Sequence, residues 1–252
     1  MNDLVETLRA AGCVFAEDEA RVLRESAGTP AELVAMTARR VAGEPLEHVV
    51  GAVEFAGRRW VVEPGVFVPR QRSELLVRTA AGASEERAVI LDLCCGCGAL
   101  GAATAAALPG SRLVAADIDP VAAACARRNV EPFGGRVFAG DLFAPLPADL
   151  RGTVTILLAN VPYVPTDEVA LMPPEARDHE PRFALDGGPD GLDLLRRVAA
   201  GAGDWLAPGG LLLTETGERQ APAAVAVLTG AGLTAEIVSD DDLGATAVVG
   251  RR

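Results

Sequence analysis

At 252 residues the chain can bury a substantial core without disulfides or a metal, and 50% hydrophobic with 23% charged residues excludes a disordered or collagen-like chain. Acidic residues number 35 against 23 basic ones, a net charge of −12, which is the wrong sign for tracking a phosphate backbone, so free DNA or RNA is not an expected partner. Aromatic residues are only 4% of the chain, and the single tyrosine is Tyr163.

The first ten residues lack the basic start of an export signal, and no apolar run approaches the roughly 20 residues that span a bilayer, so a cytoplasmic protein without membrane contact is expected. Apolar residues recur at helical spacing in Leu4, Val5 and Leu8 and again in Leu33, Val34, Met36 and Val41, predicting short helices over the first forty residues. Thr29 before Pro30 and Glu32 is a helix start. A hairpin follows at 53–55 and 60–62 with Gly57 in its turn, then a loop punctuated by Pro64, Gly65 and Pro69, then a helix over 73–81. The stretch 83–87 is the expected boundary between an N-terminal domain, 1–83, which the family resemblance set out below implies docks the substrate, and a second domain, 84–252.

From Ala88 onward, apolar runs of strand length alternate with helical stretches, the pattern of a parallel sheet covered on both faces. Strands are expected at 89–93, 112–116, 136–138, 154–159, 210–214, 234–238 and 245–249. The last two have no helix between them and predict an antiparallel hairpin turning at 240–244, where three aspartates read as a solvated turn. Residues 164–189 show no periodicity, and a loop of that length in a compact domain is usually functional.

Two segments carry chemistry. The strand Leu91-Asp92-Leu93 runs into Cys94-Cys95-Gly96-Cys97-Gly98 and then an alanine-rich helix, which places glycines at the carboxyl end of a strand where a ligand can approach the backbone. Gly96, Gly98 and Gly101 also match the short dinucleotide pattern, and Asp117 at the end of the next strand is placed to accept from two ribose hydroxyls. NAD and S-adenosylmethionine both fit these residues, as does a plain strand-to-helix turn. The second segment is the apolar strand 157–159 followed by Asn160, Val161, Pro162 and Tyr163. These four residues resemble the Asn-Pro-Pro-Tyr signature of methyltransferases that act on planar amide or exocyclic amino nitrogens, which implies that the Asn side-chain oxygen and the next backbone carbonyl each accept one N–H of a nitrogen whose lone pair is delocalised and orient it toward a methyl donor. A proline turn with a packing tyrosine is the bland alternative.

These residues carry a family resemblance across nearly the whole chain. Pro45-Leu46, Gly51, Glu54-Phe55, Val68-Pro69-Arg70, Glu74, the 91–98 loop, Asp117, Asp141, Asn160 to Tyr163, Glu180-Pro181, 184–188, 190–192, 208–210 and Glu215 follow one another as in the HemK/PrmC protein N(5)-glutamine methyltransferases, which the sequence resembles. The resemblance implies an α/β fold: a seven-stranded Rossmann-like class I methyltransferase sheet with a small N-terminal helical domain and a linking β-hairpin. It implies S-adenosylmethionine as cofactor, held by Cys94, Cys95, Gly96, Cys97, Gly98, Asp117, Asp141, Leu142 and Asn160, with S-adenosylhomocysteine as product. It also implies a glutamine substrate held by Asn160, Val161, Pro162 and Tyr163, in a peptide-chain release factor carrying a Gly-Gly-Gln motif. Val161 stands where the family has its first proline, Cys94 and Cys97 stand in a loop usually rich in glycine and threonine, and Gln71-Arg72-Ser73 replaces Pro-Asp-Thr beside the expected substrate cleft. The last departure points to a different or additional target.

Five cysteines, an odd count with three in one turn, fit reduced thiols rather than a disulfide framework, and the Cys94/Cys97 pair lacks the partners of a metal site, so no metal is expected. His48 is expected to pack or cap, and His179 lies in the long loop. The rival readings are an adenine-N6-type nucleic-acid methyltransferase, a nicotinamide-dependent oxidoreductase, and a binding module that has kept the fold without catalysis.

Overall fold

A computed structural model describes residues 2–83 and 87–252. Helices α1 (Asn2–Ala10), α2 (Ala16–Ser26), α3 (Pro30–Val41) and α4 (Leu46–Val50) come first. They surround a core of their own built on Leu8, Ala16, Ala20, Leu23 and Val49. Thr29 caps α3 as its sequence indicated, its side chain accepting from the Glu32 N–H at 3.2 Å.

Strands β1 (Ala52–Phe55) and β2 (Arg58–Val61) form the hairpin, and α5 (Glu74–Ala83) follows. Residues 84–86 of the expected domain boundary lie outside the described residues. The hairpin and α5 contribute Val53, Phe55, Trp60, Leu75, Leu76 and Ala80 to the core of the large sheet.

The remaining elements are β3 (Val89–Leu93), α6 (Ala99–Ala107), β4 (Arg112–Asp117), α7 (Pro120–Val130), β5 (Arg136–Ala139), β6 (Val154–Ala159), α8 (Pro174–His179), α9 (Asp193–Trp205), β7 (Leu206–Glu215), α10 (Ala221–Gly230), β8 (Thr234–Asp240) and β9 (Ala245–Arg251). The seven strands from β3 onward lie in the order β5-β4-β3-β6-β7-β9-β8, parallel except for the pairings of β9. Successive side chains of a strand point to opposite faces, so these apolar runs feed two cores. Ile90, Ala115, Ile156 and Leu213 meet α5, α6 and α7, while Leu91, Val114, Leu157 and Leu212 meet α9 and α10.

Two segments differ from expectation. β7 begins at Leu206 rather than 210, because the pairing with β6 shifts between Val154 and Ile156 and lets Pro208 and Gly209 ride in an irregular strand. The long segment is not structureless: it holds α8, six residues begun by Pro173-Pro174 and too short to show a helical period, and a bridge from Val164 to Asp186. Among the described residues no helix is long and apolar enough to cross a membrane.

Candidate active site

The sheet order reverses between β3 and β6, and in open α/β sheets a ligand binds outside the carboxyl ends of the strands at such a switch point. Here the ends of β3, β4 and β6 open onto two adjoining cavities of about 110 and 410 Å3, which share Cys94, Asp117, Ile118, Pro162, Phe183 and Leu194.

The turn after β3 is shaped by its backbone. Cys94, Gly96 and Gly98 have φ of +54°, +55° and +77°, all in the left-handed region. Gly98 begins α6 where a Cβ would stand 2.8 Å from Val130, so this glycine serves the packing of α6 on α7. Of the five loop residues expected to hold cofactor, Cys94 and Gly96 face the two cavities. Cys95 and Cys97 line a smaller inner cavity with Asp92, Ser73 and Asn160, and Gly98 lines none of the three. Burial pushes the thiols of Cys94, Cys95 and Cys97 above the ordinary range, so they act as small apolar groups rather than nucleophiles.

Asp117 ends β4 and braces the turn: its Oδ2 accepts from the Gly96 N–H at 2.8 Å and its Oδ1 from the Asp119 N–H at 2.9 Å. A carboxylate has about four acceptor positions, so about two remain for a ligand, a fit to a pair of ribose hydroxyls. Asp92 was read only as part of the strand. Its Oδ2 accepts from the Gly101 N–H at 2.9 Å, while its buried Oδ1 has no partner among the described residues. Burial pushes this carboxyl up to about 7. An orphaned acceptor on the inner cavity suits a cationic amino group, which the cofactor's methionine part carries. The signal was present in the sequence: an acid inside an otherwise apolar strand.

Asp141 and Leu142 line the larger cavity, with Asp141 paired to Arg197 at 2.6 Å and Leu142 at φ +48°. Ile118 and Phe183, 58% and 53% exposed, add apolar walls.

Asn160, Val161, Pro162 and Tyr163 continue directly from β6 and line the smaller cavity together. Residues 185–191 hold the turn in place: the Val164 N–H donates to the Leu185 carbonyl at 3.1 Å and the Gly187 N–H to the Val164 carbonyl at 2.8 Å. Gly191 is needed here, since a Cβ on it would stand 2.2 Å from the Tyr163 carbonyl oxygen. Asn160 Oδ1 and the Val161 carbonyl accept from no described residue. Tyr163 is pinned at its hydroxyl, which donates to Glu215 Oε1 at 2.6 Å and accepts from Arg72 Nη2 at 2.7 Å. Burial and the Glu215 charge push the phenol above its usual range, so it stays a donor. Arg72, Ser73 and Glu215 were legible as sequence matches or departures, but their meeting at this turn was not.

Neither histidine lines the three cavities. His48 is 2% exposed and donates from Nε2 to the Val66 carbonyl at 2.8 Å; burial lowers its pKa and keeps it neutral.

This sheet, with an acid ending β4 beside a glycine turn and an Asn-led turn after β6, defines an S-adenosylmethionine-dependent methyltransferase of class I. The family model described as "Methyltransferase small domain" matches residues 59–171. A methyltransferase structure from Pyrococcus furiosus shares the fold at a TM-score of 0.54 and 15% identity, over 76% of this chain and 88% of that one. The release factor glutamine methyltransferase of Geobacter sulfurreducens is 39% identical over 228 residues, 88% of this chain and 79% of that protein. The chain belongs to the release factor glutamine methyltransferase family. It is also 35% identical over 201 residues, 77% of this chain and 68% of the relative, to the 4-amino-L-phenylalanine/4-methylamino-L-phenylalanine methyltransferase of Streptomyces pristinaespiralis.

Proposed function

We propose that the chain methylates the side-chain amide nitrogen, N5, of a glutamine in a peptide-chain release factor, within a Gly-Gly-Gln motif. The observation that carries this reading is the turn of 160–163, which lines the smaller cavity and whose two acceptors, Asn160 Oδ1 and the Val161 carbonyl, are unclaimed by described residues.

An amide nitrogen is a poor nucleophile because its lone pair is delocalised. Asn160 and Val161 would each accept one of its N–H hydrogens, fix its direction, and favour the positive charge that develops on it during transfer. Val161 acts here through its carbonyl, so replacing the family's proline leaves the acceptor in place. Pro162 stiffens the turn, and Tyr163, held at its hydroxyl, offers a fixed face to the flat group. The relative that acts on an aromatic amine supports the same logic, since an arylamine nitrogen is also conjugated.

The cofactor would be held by Asp117 at its ribose hydroxyls, by the Cys94 to Gly96 turn and Asp92 at its methionine part, and by Asp141, Leu142 and Ile118 around its adenine. Bound there, S-adenosylmethionine supplies an electrophilic methyl on a sulfonium sulfur. No strong base is required, because the methylated amide sheds its extra proton readily. The charge of −12 disfavours the nucleic-acid alternative.

Asn160→Ala is expected to lower transfer by at least about 100-fold while S-adenosylhomocysteine binds within a few-fold of the native affinity. Incubation with labelled S-adenosylmethionine and a bacterial release factor, followed by mass mapping, tests the assignment. Retained turnover in the variant, or a label anywhere but a glutamine side chain, overturns it.

A further inference from the structure

Strand β7 carries one charged side chain, at its last residue, Glu215, a carboxylate only 4% exposed. Its Oε1 accepts from Arg72 Nε and from the Tyr163 hydroxyl, both at 2.6 Å, and its Oε2 accepts from the Ser73 hydroxyl. A carboxylate paired with a guanidinium only accepts. The single Ser73 hydroxyl proton is therefore committed to Glu215, and the Ser73 oxygen is left to accept. The donor it meets is Asn160 Nδ2, at 3.3 Å. With its nitrogen committed inward to Ser73, the Asn160 amide turns its oxygen the other way.

We propose that Ser73 and Glu215 are positioning residues for methyl transfer, because the one-way run of hydrogen bonds from Asn160 through Ser73 to Glu215 decides which end of the Asn160 amide faces the substrate nitrogen. The inference rests on the reading of Asn160 as acceptor for the substrate amide. Reversed, the Asn160 amide would set its own N–H groups against those of the substrate, two donors facing each other. Arg72, which replaces the family's aspartate, supplies the positive charge beside buried Glu215 and ties the same carboxylate to Tyr163. One buried acid thus governs both ends of the turn.

Glu215→Gln keeps the shape but brings an NH2 group that can donate to Ser73. The serine proton is then free to donate to Asn160 Oδ1, and the amide can reverse. With a purified bacterial release factor as substrate, kcat is expected to fall about 10- to 100-fold, with S-adenosylhomocysteine affinity by titration calorimetry within about twofold, which also reports that the variant has folded. Ser73→Ala should lose a similar factor, and Ser73→Thr, which returns the hydroxyl, should recover most of it. Because both residues act on Asn160 through one relay, the double variant Ser73→Ala/Glu215→Gln should lose much less than the product of the two single losses, any excess over Ser73→Ala being the share that Glu215 exerts through Tyr163. Losses that multiply in the double variant, native kcat in Glu215→Gln, or no recovery in Ser73→Thr overturns the relay. Asn160→Ala in the same assay separates the two ideas: if it alone stops transfer the site reading stands and the relay falls, and if it turns over normally both fall.

Discussion

At the scale of single residues, Cys94 illustrates how a side chain can sit in a backbone made for another. Its φ of +54° is one that glycine adopts freely and that a residue with a Cβ reaches at a cost of about 1 kcal/mol. The loop therefore keeps its left-handed shape despite the substitution that the sequence flagged. Cys94→Gly is expected to be more stable than Cys94→Ala by about 1 kcal/mol in urea denaturation, the reverse of the order in a helix or strand. Equal stabilities, or the usual order, would mean that the position carries no strain. Asp92 and Glu215 share a second lesson. Each is the lone acid of its strand, and each lies toward the strand's carboxyl end, where the sheet stops excluding ligands.

At the scale of elements, the cleft wall formed by 164–189 is fastened by two ion pairs, each with one buried partner, rather than by apolar packing alone. Arg40, 6% exposed on α3, bonds Glu19 and Glu175, both at 2.6 Å, and so ties α8 to the N-terminal helices. Arg70 bonds Glu180 at 2.7 Å while lying 4.9 Å from the centre of the Phe67 ring, and Glu180 also accepts from the Val68 N–H at 3.2 Å. Burial pushes the Glu180 carboxyl up, and the Arg70 charge pulls it back. Arg70→Ala would leave that carboxylate buried and unpaired, costing about 3 kcal/mol near neutral pH. With the folded-state pKa raised further, the loss is small in acid, where Glu180 is protonated in both states, and grows as pH rises through the folded value. Urea titrations at pH 4 and pH 8 check this; a loss independent of pH would show that the pair does not act through the charge of Glu180.

For the whole molecule, the separate core of the N-terminal helices and the shared core of hairpin, α5 and sheet have a structural consequence. The hairpin and α5 extend the sheet's own packing, which carries Arg72 and Ser73 on a rigid base beside the site. We propose that the four N-terminal helices are the part that grips the protein substrate. The net charge of −12 suits a basic partner surface. Raising salt from about 50 to 300 mM should then lower kcat/KM for a release factor several-fold, leave kcat nearly unchanged, and have little effect on a short uncharged glutamine peptide. Equal salt sensitivity of the two substrates would remove the steering argument.

The sequence by itself determined the seven strands of the sheet, apart from the early start of β7, and their alternation with helices, and it singled out the segments that follow β3 and β6, because side-chain period, glycine placement and an Asn at a strand end are local properties. It also placed Asp117 at the end of β4 and Tyr163 in the turn that follows β6. Only the tertiary structure decided which acids meet which donors. Ser73, Asn160 and Glu215 are 87 and 55 residues apart along the chain, steps that no periodicity encodes. They meet because β6 and β7 are neighbours in the sheet and α5 packs across them. The short helix α8 escaped the sequence for a related reason: fewer than two turns show no period, and what holds it is a pair of charges, Glu175 and Glu180, whose partners lie 135 and 110 residues away.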